Sequence, residues 1–417
     1  MDKIYVHGRI PLRGQLTLQG SKNAALPILA ATLLTEETCV IHNCPKIVDV
    51  HQMLHLLGRL GCEIRWENDG VRITGRTCEG ESMLYPEVGQ MRCSILFLGA
   101  LLGSSKRVEL PYPGGCVIGK RPVDIHIDAL SKMNVDISCK DDTLIAQTKG
   151  MIGERIFLPF PSVGATENLM LAAVKALGKT QIEGAAREPE VVALGQFLKA
   201  MGARIRGLGS STIEIEGGMP LHGAEFVVPA DRIVAGTYML ACMSTGGNIL
   251  LNEAPIEDMG SFFHVIREMG GSLQIEQQQV YLQAPKEISP VLYLKTEVHP
   301  GFPTDLQSPL LSTLCLAKGE SCIQENIFEQ RFHVVPWLTQ MGAKIELLTP
   351  NLARVIGVEM LKGAQVKASE LRGGAALVVA ALGAKGETVI EGKKFIDRGY
   401  ANICKDLRDL GARIYSV

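Results

Sequence analysis

Cys116 lies in a segment suited to exposing a sulfur. It follows Pro113-Gly114-Gly115 and precedes Ile118-Gly119-Lys120-Arg121. Glycines on both sides let the loop move, and neighbouring cations favour thiolate over thiol, so the expected chemistry is that of an accessible acid or nucleophile. The chain has eleven cysteines in all, scattered and without a C-x-x-C pair, which suggests neither a disulfide framework nor a zinc site. The ten cysteines other than Cys116 are expected to be reduced, buried and inert.

Other reactive side chains recur at two places. One is the start of a run of small and apolar residues, with Lys22 and Asn23, Arg92, Thr166 and Glu167, Asp231 and Arg232, Asp305, and Arg372. The other is the loop that leads into a more polar helix, with Cys116 and Arg121, Arg187 and Glu188, Asp258, Arg331, and Arg398. Helix N-termini carry unsatisfied N–H groups and partial positive charge, so a face gathering these ends attracts phosphate and carboxylate before any arginine is added. Asp305, after Pro303-Thr304, reads equally as a helix cap or as a base. Asp124 and His126 alone do not make a metal site, and no phosphate-cradling or dinucleotide-binding glycine motif occurs. No metal or cofactor is expected.

The elements that must position these residues form a repeat. A helix-to-strand junction occurs six times, at Leu60-Gly61, Met133-Asn134, Met201-Gly202, Met269-Gly270, Met341-Gly342 and Leu410-Gly411, each followed by polar-apolar alternation. Between the junctions lie six helical stretches too apolar to be amphipathic, expected at 23–34, 93–102, 168–177, 234–243, 307–317 and 374–384. Each unit thus holds a buried helix, a polar helix and strands. Six units imply an α/β protein of two domains with three units each, 22–229 against 1–21 with 230–417. The N-terminal strand is left over and is expected to complete the sheet of the last unit.

With 417 residues the chain can bury more than one core, and its 46% hydrophobic and 21% charged content is that of a globular protein. A net charge of −2 argues against a nucleic-acid binder relying on phosphate neutralisation. Neither a signal peptide nor an apolar run of about 18 residues is present, so a cytoplasmic protein without membrane spans is expected.

At these residues the chain resembles the UDP-N-acetylglucosamine enolpyruvyl transferases, relatives of the enolpyruvylshikimate-phosphate synthases. The likeness runs along the whole chain, through Gly20 to Pro27, Met91-Arg92, Pro113 to Cys116 with Arg121-Pro122-Val123-Asp124, Ser162 to Thr166, Ala186 to Glu190, Pro303-Thr304-Asp305, Asn326 to Arg331 and Asp397 to Tyr400. The loop cysteine and the Arg-Pro-Val-Asp run belong to the UDP-sugar branch and are lacking in the shikimate branch. The resemblance implies two inside-out α/β barrel-like domains about a central cleft, an EPSP synthase-like fold. It also implies transfer of the carboxyvinyl group of phosphoenolpyruvate to the 3′-hydroxyl of UDP-N-acetylglucosamine, without a cofactor, in peptidoglycan precursor synthesis.

By the same resemblance Lys22, Arg121 and Arg398 grip the phosphate and carboxylate of phosphoenolpyruvate, and Arg331 and Arg372 are further cations of the cleft. Asn23 and Asp305 meet the sugar hydroxyl. Arg92, Arg121, Pro122, Val123, Asp124, Ile125, Ser162, Val163, Gly164 and Ile327 form the UDP-sugar pocket. Cys116 is assigned as the acid at C3 and the target of the epoxide fosfomycin, and Asp305 as the base. Two positions depart from the family pattern: Phe160 stands where many members carry lysine, and Glu370 where aspartate precedes the arginine. The competing readings are a shikimate-type transferase and a non-catalytic UDP-sugar-binding paralogue.

Overall fold

A computed structural model describes residues 2–76, 82–114 and 123–417. The six junctions are turns with a left-handed residue: φ is +91° at Gly61, +102° at Gly202, +92° at Gly270, +94° at Gly342 and +88° at Gly411. Asn134 takes the same role at +63°. Glycine lacks the Cβ that clashes there, and asparagine is the next most tolerant residue. The turn reverses the chain from the polar helix into a strand, as from Val48–Arg59 into Glu63–Trp66.

One unit shows the plan. Strand Arg155–Phe157 leads to the buried helix Val163–Ala173, then strand Gly178–Glu183, the outer helix Pro189–Ala200, and strands Arg204–Arg206 and Thr212–Gly217. Residues 155–157 pair in parallel with 181–183, and the remaining pairs are antiparallel. Among the described residues five sheets have four strands in this arrangement. The sixth has three, Arg107–Pro111, Thr143–Thr148 and Val135–Lys140, with Ser82 bridging Glu109 in parallel where the other sheets have an edge strand.

Three sheets take strands from far along the chain. Lys3–His7 lies between Glu387–Glu391 and Arg413–Ser416, antiparallel to both, so the early strand does fill the last sheet. Arg13–Thr17 runs parallel to Asn248–Asn252, and Glu225–Val227 returns to lie parallel to Thr38–His42. Two compact units result, one from the described residues up to Gln19 with Ala230–Val417 and the other from those between Gly20 and Pro229.

The buried helices are Lys22–Ala31, Leu96–Leu102 after a 3-10 turn Arg92–Ile95, Val163–Ala173, Arg232–Thr245, Gln307–Leu314 and Leu371–Gly383. In the last, every residue is buried, so packing surrounds it on all sides. The third begins five residues before its expected start at Asn168 and ends at Ala173 rather than Leu177. The sequence places Thr166 and Glu167 at the start of the helix and Asn168 as its first residue, yet all three are buried inside the helix, which Ser162 caps by accepting from Ala165 N at 3.3 Å. Close helix contact explains the small residues. A Cβ on Gly99 would come within 2.2 Å of the Asn168 carbonyl oxygen, while its N–H donates to Asn168 Oδ1 at 2.7 Å. No helix of the described residues is long and apolar enough to cross a membrane.

Candidate active site

In the domain containing residues 230–417, two neighbouring helix starts and one loop meet at Asp305. Its Oδ1 accepts from Arg331 Nη2 at 2.5 Å and its Oδ2 from Arg372 Nη2 at 2.7 Å. Both arginine side chains are almost wholly buried, at 3% and 5% exposure, whereas the carboxylate keeps 23%. Charges this deep persist because they are paired, and removing one partner would strand the other. Burial works against the Arg372 charge, but Asp305, with Tyr400 and Asp231, holds its pKa above the ordinary arginine range. Asp231 itself caps the helix Arg232–Thr245, accepting from Ile233 N and Val234 N at 2.9 and 3.1 Å.

The capping reading of Asp305 fails. Asp305 lies in a 3-10 turn, Thr304–Leu306, and no side chain caps that turn or the helix Gln307–Leu314. The carboxylate is turned to the arginines instead. The adjacent Thr304 hydroxyl donates to the buried Glu325, whose Oε1 also accepts from Ile327 N at 2.8 Å and Phe328 N at 3.0 Å. The loop carrying Ile327 is thereby tied to the turn carrying Asp305. Arg331 further lies 4.9 Å from the Phe328 ring centre.

Glu370 has a local role at the start of its helix. It caps the last buried helix, accepting from Arg372 N at 2.7 Å and from Gly373 N, and lies 3.9 Å from Arg331 Nη1. Arg372 still reaches Asp305. Arg398, half-buried, follows the short helix Lys393–Ile396 and precedes Gly399 and the buried Tyr400.

In the other domain Lys22 and Asn23 open the first buried helix, capped by Ser21. Lys22 Nζ lies 2.6 Å from Asp49 Oδ2, and Asp49 is 2% exposed in the first turn of Val48–Arg59. A lysine at a helix N-terminus opposes the helix dipole, and the buried aspartate offsets that repulsion. Arg92 opens the second buried helix through its 3-10 turn. Val123 is buried, and Asp124 and Ile125 start the helix Asp124–Ser131. His126 on that helix faces Gly164, where an added Cβ would lie 3.3 Å from its Cε1, and its Nδ1 is 3.1 Å from Asn168 Nδ2. The turn Ser162–Gly164 and the segment Val123–Ile125 are therefore neighbours. Phe160 is 44% exposed just before that turn, its carbonyl accepting from Ser162 N at 2.7 Å.

Glu167 is buried, and burial, joined by Glu190 and Glu188, raises its pKa well above the carboxylate range. Its Oε1 has no hydrogen-bond partner.

Cys116, Arg121 and Pro122 lie outside the described residues. Of the other cysteines, Cys139 is exposed on the strand Val135–Lys140, which corrects the expectation that all ten are buried; it lies in the outer half of a strand whose last residues face solvent. Burial pushes the thiols of Cys44, Cys242 and Cys315 up to about 12, which leaves them protonated and unreactive at neutral pH. Sequence reading overlooked Asp49 and Glu325 and gave Tyr400 no role of its own. Asp49 carried a signal, an acid at the start of an amphipathic helix, but nothing local tied it to Lys22.

The chain belongs to the EPSP synthase (3-phosphoshikimate 1-carboxyvinyltransferase) family, whose model matches residues 6–407. Within that family it is similar to proteins named UDP-N-acetylglucosamine 1-carboxyvinyltransferase. The one from Desulfovibrio desulfuricans is 44% identical over 416 residues, 99% of each chain, and the one from Methylacidiphilum infernorum 43% over 420 residues, 100% of this chain and 99% of its own. Among solved structures, the enolpyruvyl transferase NikO from Streptomyces tendae superposes with a TM-score of 0.88 at 21% identity, covering 99% of this chain and 98% of its own. EPSP synthase from Acinetobacter baumannii gives 0.77 at 17% identity, covering 100% and 99%. The fold is the two-domain α/β fold of these transferases.

Proposed function

We propose that this chain transfers the enolpyruvyl group of phosphoenolpyruvate to the 3′-hydroxyl of UDP-N-acetylglucosamine, releasing phosphate, in the synthesis of peptidoglycan precursors. The observation that carries the reading is the Asp305 carboxylate between two buried guanidiniums, at the helix starts where the resemblance places the reacting hydroxyl, in a chain aligned end to end with relatives named for this reaction.

The roles divide between the domains, taken as 22–229 and as 1–21 with 230–417. Lys22, Asn23, Arg92, Arg121 to Ile125 and Ser162 to Gly164 in the first hold the UDP-sugar and part of phosphoenolpyruvate, together with the Cys116 loop. Asp305, Ile327, Arg331, Arg372 and Arg398 belong to the second. In the addition step the sugar O3 bonds to C2 of phosphoenolpyruvate, its proton passes to Asp305, and Cys116 protonates C3. In the elimination step C3 returns a proton to the Cys116 thiolate, the C–H pair re-forms the C2–C3 double bond, and the C2–O bond breaks with its electrons leaving on phosphate. Charge builds up in both steps, and fixed cations stabilise it strongly in a water-poor site.

A carboxylate accepting from two guanidiniums is a weak base, because both partners favour its charged form. Asp305 becomes competent when the carboxylate and phosphate of phosphoenolpyruvate draw Arg331 and Arg372 away. Phosphate release on mixing the protein with phosphoenolpyruvate and UDP-N-acetylglucosamine tests the function. Release that needs both compounds supports it; tight UDP-sugar binding with no release would make the chain a binding protein, and release with shikimate 3-phosphate instead would place it in the other branch.

A further inference from the structure

We infer that Glu325 is a positioning residue that joins the Ile327 loop to the Arg331–Asp305 pair, holding Arg331 in place through Thr304 and Phe328. The inference rests on the roles proposed for Asp305, Arg331 and Ile327 and adds the residue that ties them together.

Two separate paths lead from Glu325 to Arg331. The first is a chain of hydrogen bonds. Arg331 Nε–H, which can only donate, lies 3.3 Å from Thr304 Oγ1. The Thr304 hydroxyl passes its own hydrogen to Glu325, at 3.0 Å from each carboxylate oxygen. The second path runs through the loop backbone. Glu325 Oε1 accepts from Ile327 N at 2.8 Å and Phe328 N at 3.0 Å, and the Phe328 ring centre lies 4.9 Å from the Arg331 guanidinium. One carboxylate therefore fixes both the hydroxyl that accepts from the guanidinium and the ring packed against it.

Glu325 is itself firmly anchored. Its N–H donates to the Asn351 carbonyl at 2.8 Å, just past the strand Glu320–Gln324, and Asn326 N donates to the buried Thr296 hydroxyl at 2.9 Å. Glu325 is 2% exposed and Arg331 4%, so bulk water does not compete for their contacts, and a link lost here costs more than it would at the surface.

The guanidinium is divided between two tasks. Nη2 donates to Asp305 at 2.5 Å, while Nε donates to Thr304. A substrate anion can take the Nη2 contact while the Nε contact and the ring keep the stem of the side chain in place. Because Ile327 N shares the same carboxylate, contact of the UDP-sugar with the Ile327 loop and the placing of Arg331 are coupled.

The test separates the two paths. Thr304→Val breaks the first and leaves the loop. It is expected to lower kcat about tenfold and raise KM for phosphoenolpyruvate by about the same factor, with KM for the UDP-sugar within about twofold of native. Thr304→Ser restores the hydroxyl and should recover most of that loss. A role in packing alone would give the opposite order, since valine keeps the volume of threonine and serine does not. Glu325→Ala removes both paths and should also raise KM for the UDP-sugar about tenfold. Glu325→Gln, whose carbonyl still serves the loop N–H groups but whose amide must donate to Thr304, should follow Thr304→Val and serves if that variant does not fold. A substrate-free measurement stands apart from the assigned reaction. By NMR, Arg331 Nε–H should exchange slowly with water in the native protein and about tenfold faster in Thr304→Val. Unchanged exchange in Thr304→Val, or a lower kcat for Thr304→Ser than for Thr304→Val, would overturn the role of Glu325. The exchange result decides alone if the protein catalyses another reaction.

Discussion

The two domains share one plan but treat the charges at their helix starts differently. Around Asp305 the charges are closed into a paired network: two buried arginines on one carboxylate, with Glu370 and Glu325 satisfying backbone N–H groups beside them. Around Glu167 the corresponding end of a buried helix gathers acids, leaves one oxygen unpartnered and raises the Glu167 pKa by burial. The first arrangement is stable and must be opened to react. The second is held at a cost in stability that falls if the carboxyl carries a proton. A common backbone therefore does not fix the electrostatics; the identity of one or two residues near the helix starts does.

The largest expected effect breaks the paired network. Asp305→Asn keeps the shape but leaves two buried guanidiniums with an uncharged amide. We expect kcat to fall by about a thousandfold or more and stability by about 3 kcal/mol, the usual cost of stranding a buried charge. Steady-state kinetics and a denaturant titration measure both, and near-native kcat would remove Asp305 from the reaction.

Next comes Cys116. Cys116→Ala should lower kcat by about a hundredfold or more at a native melting temperature, the scale of losing a general acid. Fosfomycin should form one thioether, at Cys116, although Cys139 is exposed. Peptide mapping that found the adduct on Cys139 would show that exposure, rather than a reactive environment, governs the labelling.

Packing gives the third. Gly99→Ala would set a methyl 2.2 Å from the Asn168 carbonyl and should destabilise the first domain by about 3 kcal/mol, the upper part of the range for overpacking. A calorimetric transition no lower than that of the native protein would show that the two helices can separate freely.

The smallest effect sharpens the contrast between the domains. The folded pKa of Glu167 lies above its ordinary value of 4.5, so the folded chain holds a proton that the unfolded chain loses. The stability from this proton is complete below pH 4.5 and declines as pH rises toward the folded pKa, by about 1.4 kcal/mol per pH unit. Glu167→Gln needs no proton, so it should be more stable than the native chain at pH 7 and lose that advantage near pH 4. Paired urea titrations at the two pH values read the difference, and an advantage of equal size at both would mean Glu167 is ionised in the fold.

The junctions were legible because a left-handed turn leaves few choices of residue: glycine at five, and asparagine at Asn134, whose φ of +63° is within its tolerance. The site was legible as far as charges at helix starts go, and Asp305 and Arg372 do meet. The start of the third buried helix was set too late because burial overrides polarity at Thr166 and Glu167, which no local pattern reveals. Tyr400 was quoted only as part of a motif; its partner Thr237 is 163 residues away and looks like any helical threonine. The Lys22 and Asp49 pair was missed for a similar reason, since each is unremarkable in its own segment.

The strand Lys3–His7 sits between two strands from the opposite end of the chain, Glu387–Glu391 and Arg413–Ser416. During synthesis it emerges early and then waits for nearly the whole chain before either neighbour exists. Both of its edges have unpaired N–H and C=O groups for that interval, and free edges invite pairing with another chain. Residues 20–229 contain all the strands of their own sheets and can close before the ribosome finishes. Refolding from denaturant should therefore show an early phase that belongs to the middle of the sequence and a later one that unites its ends, the later one slowed by the long loop it must close.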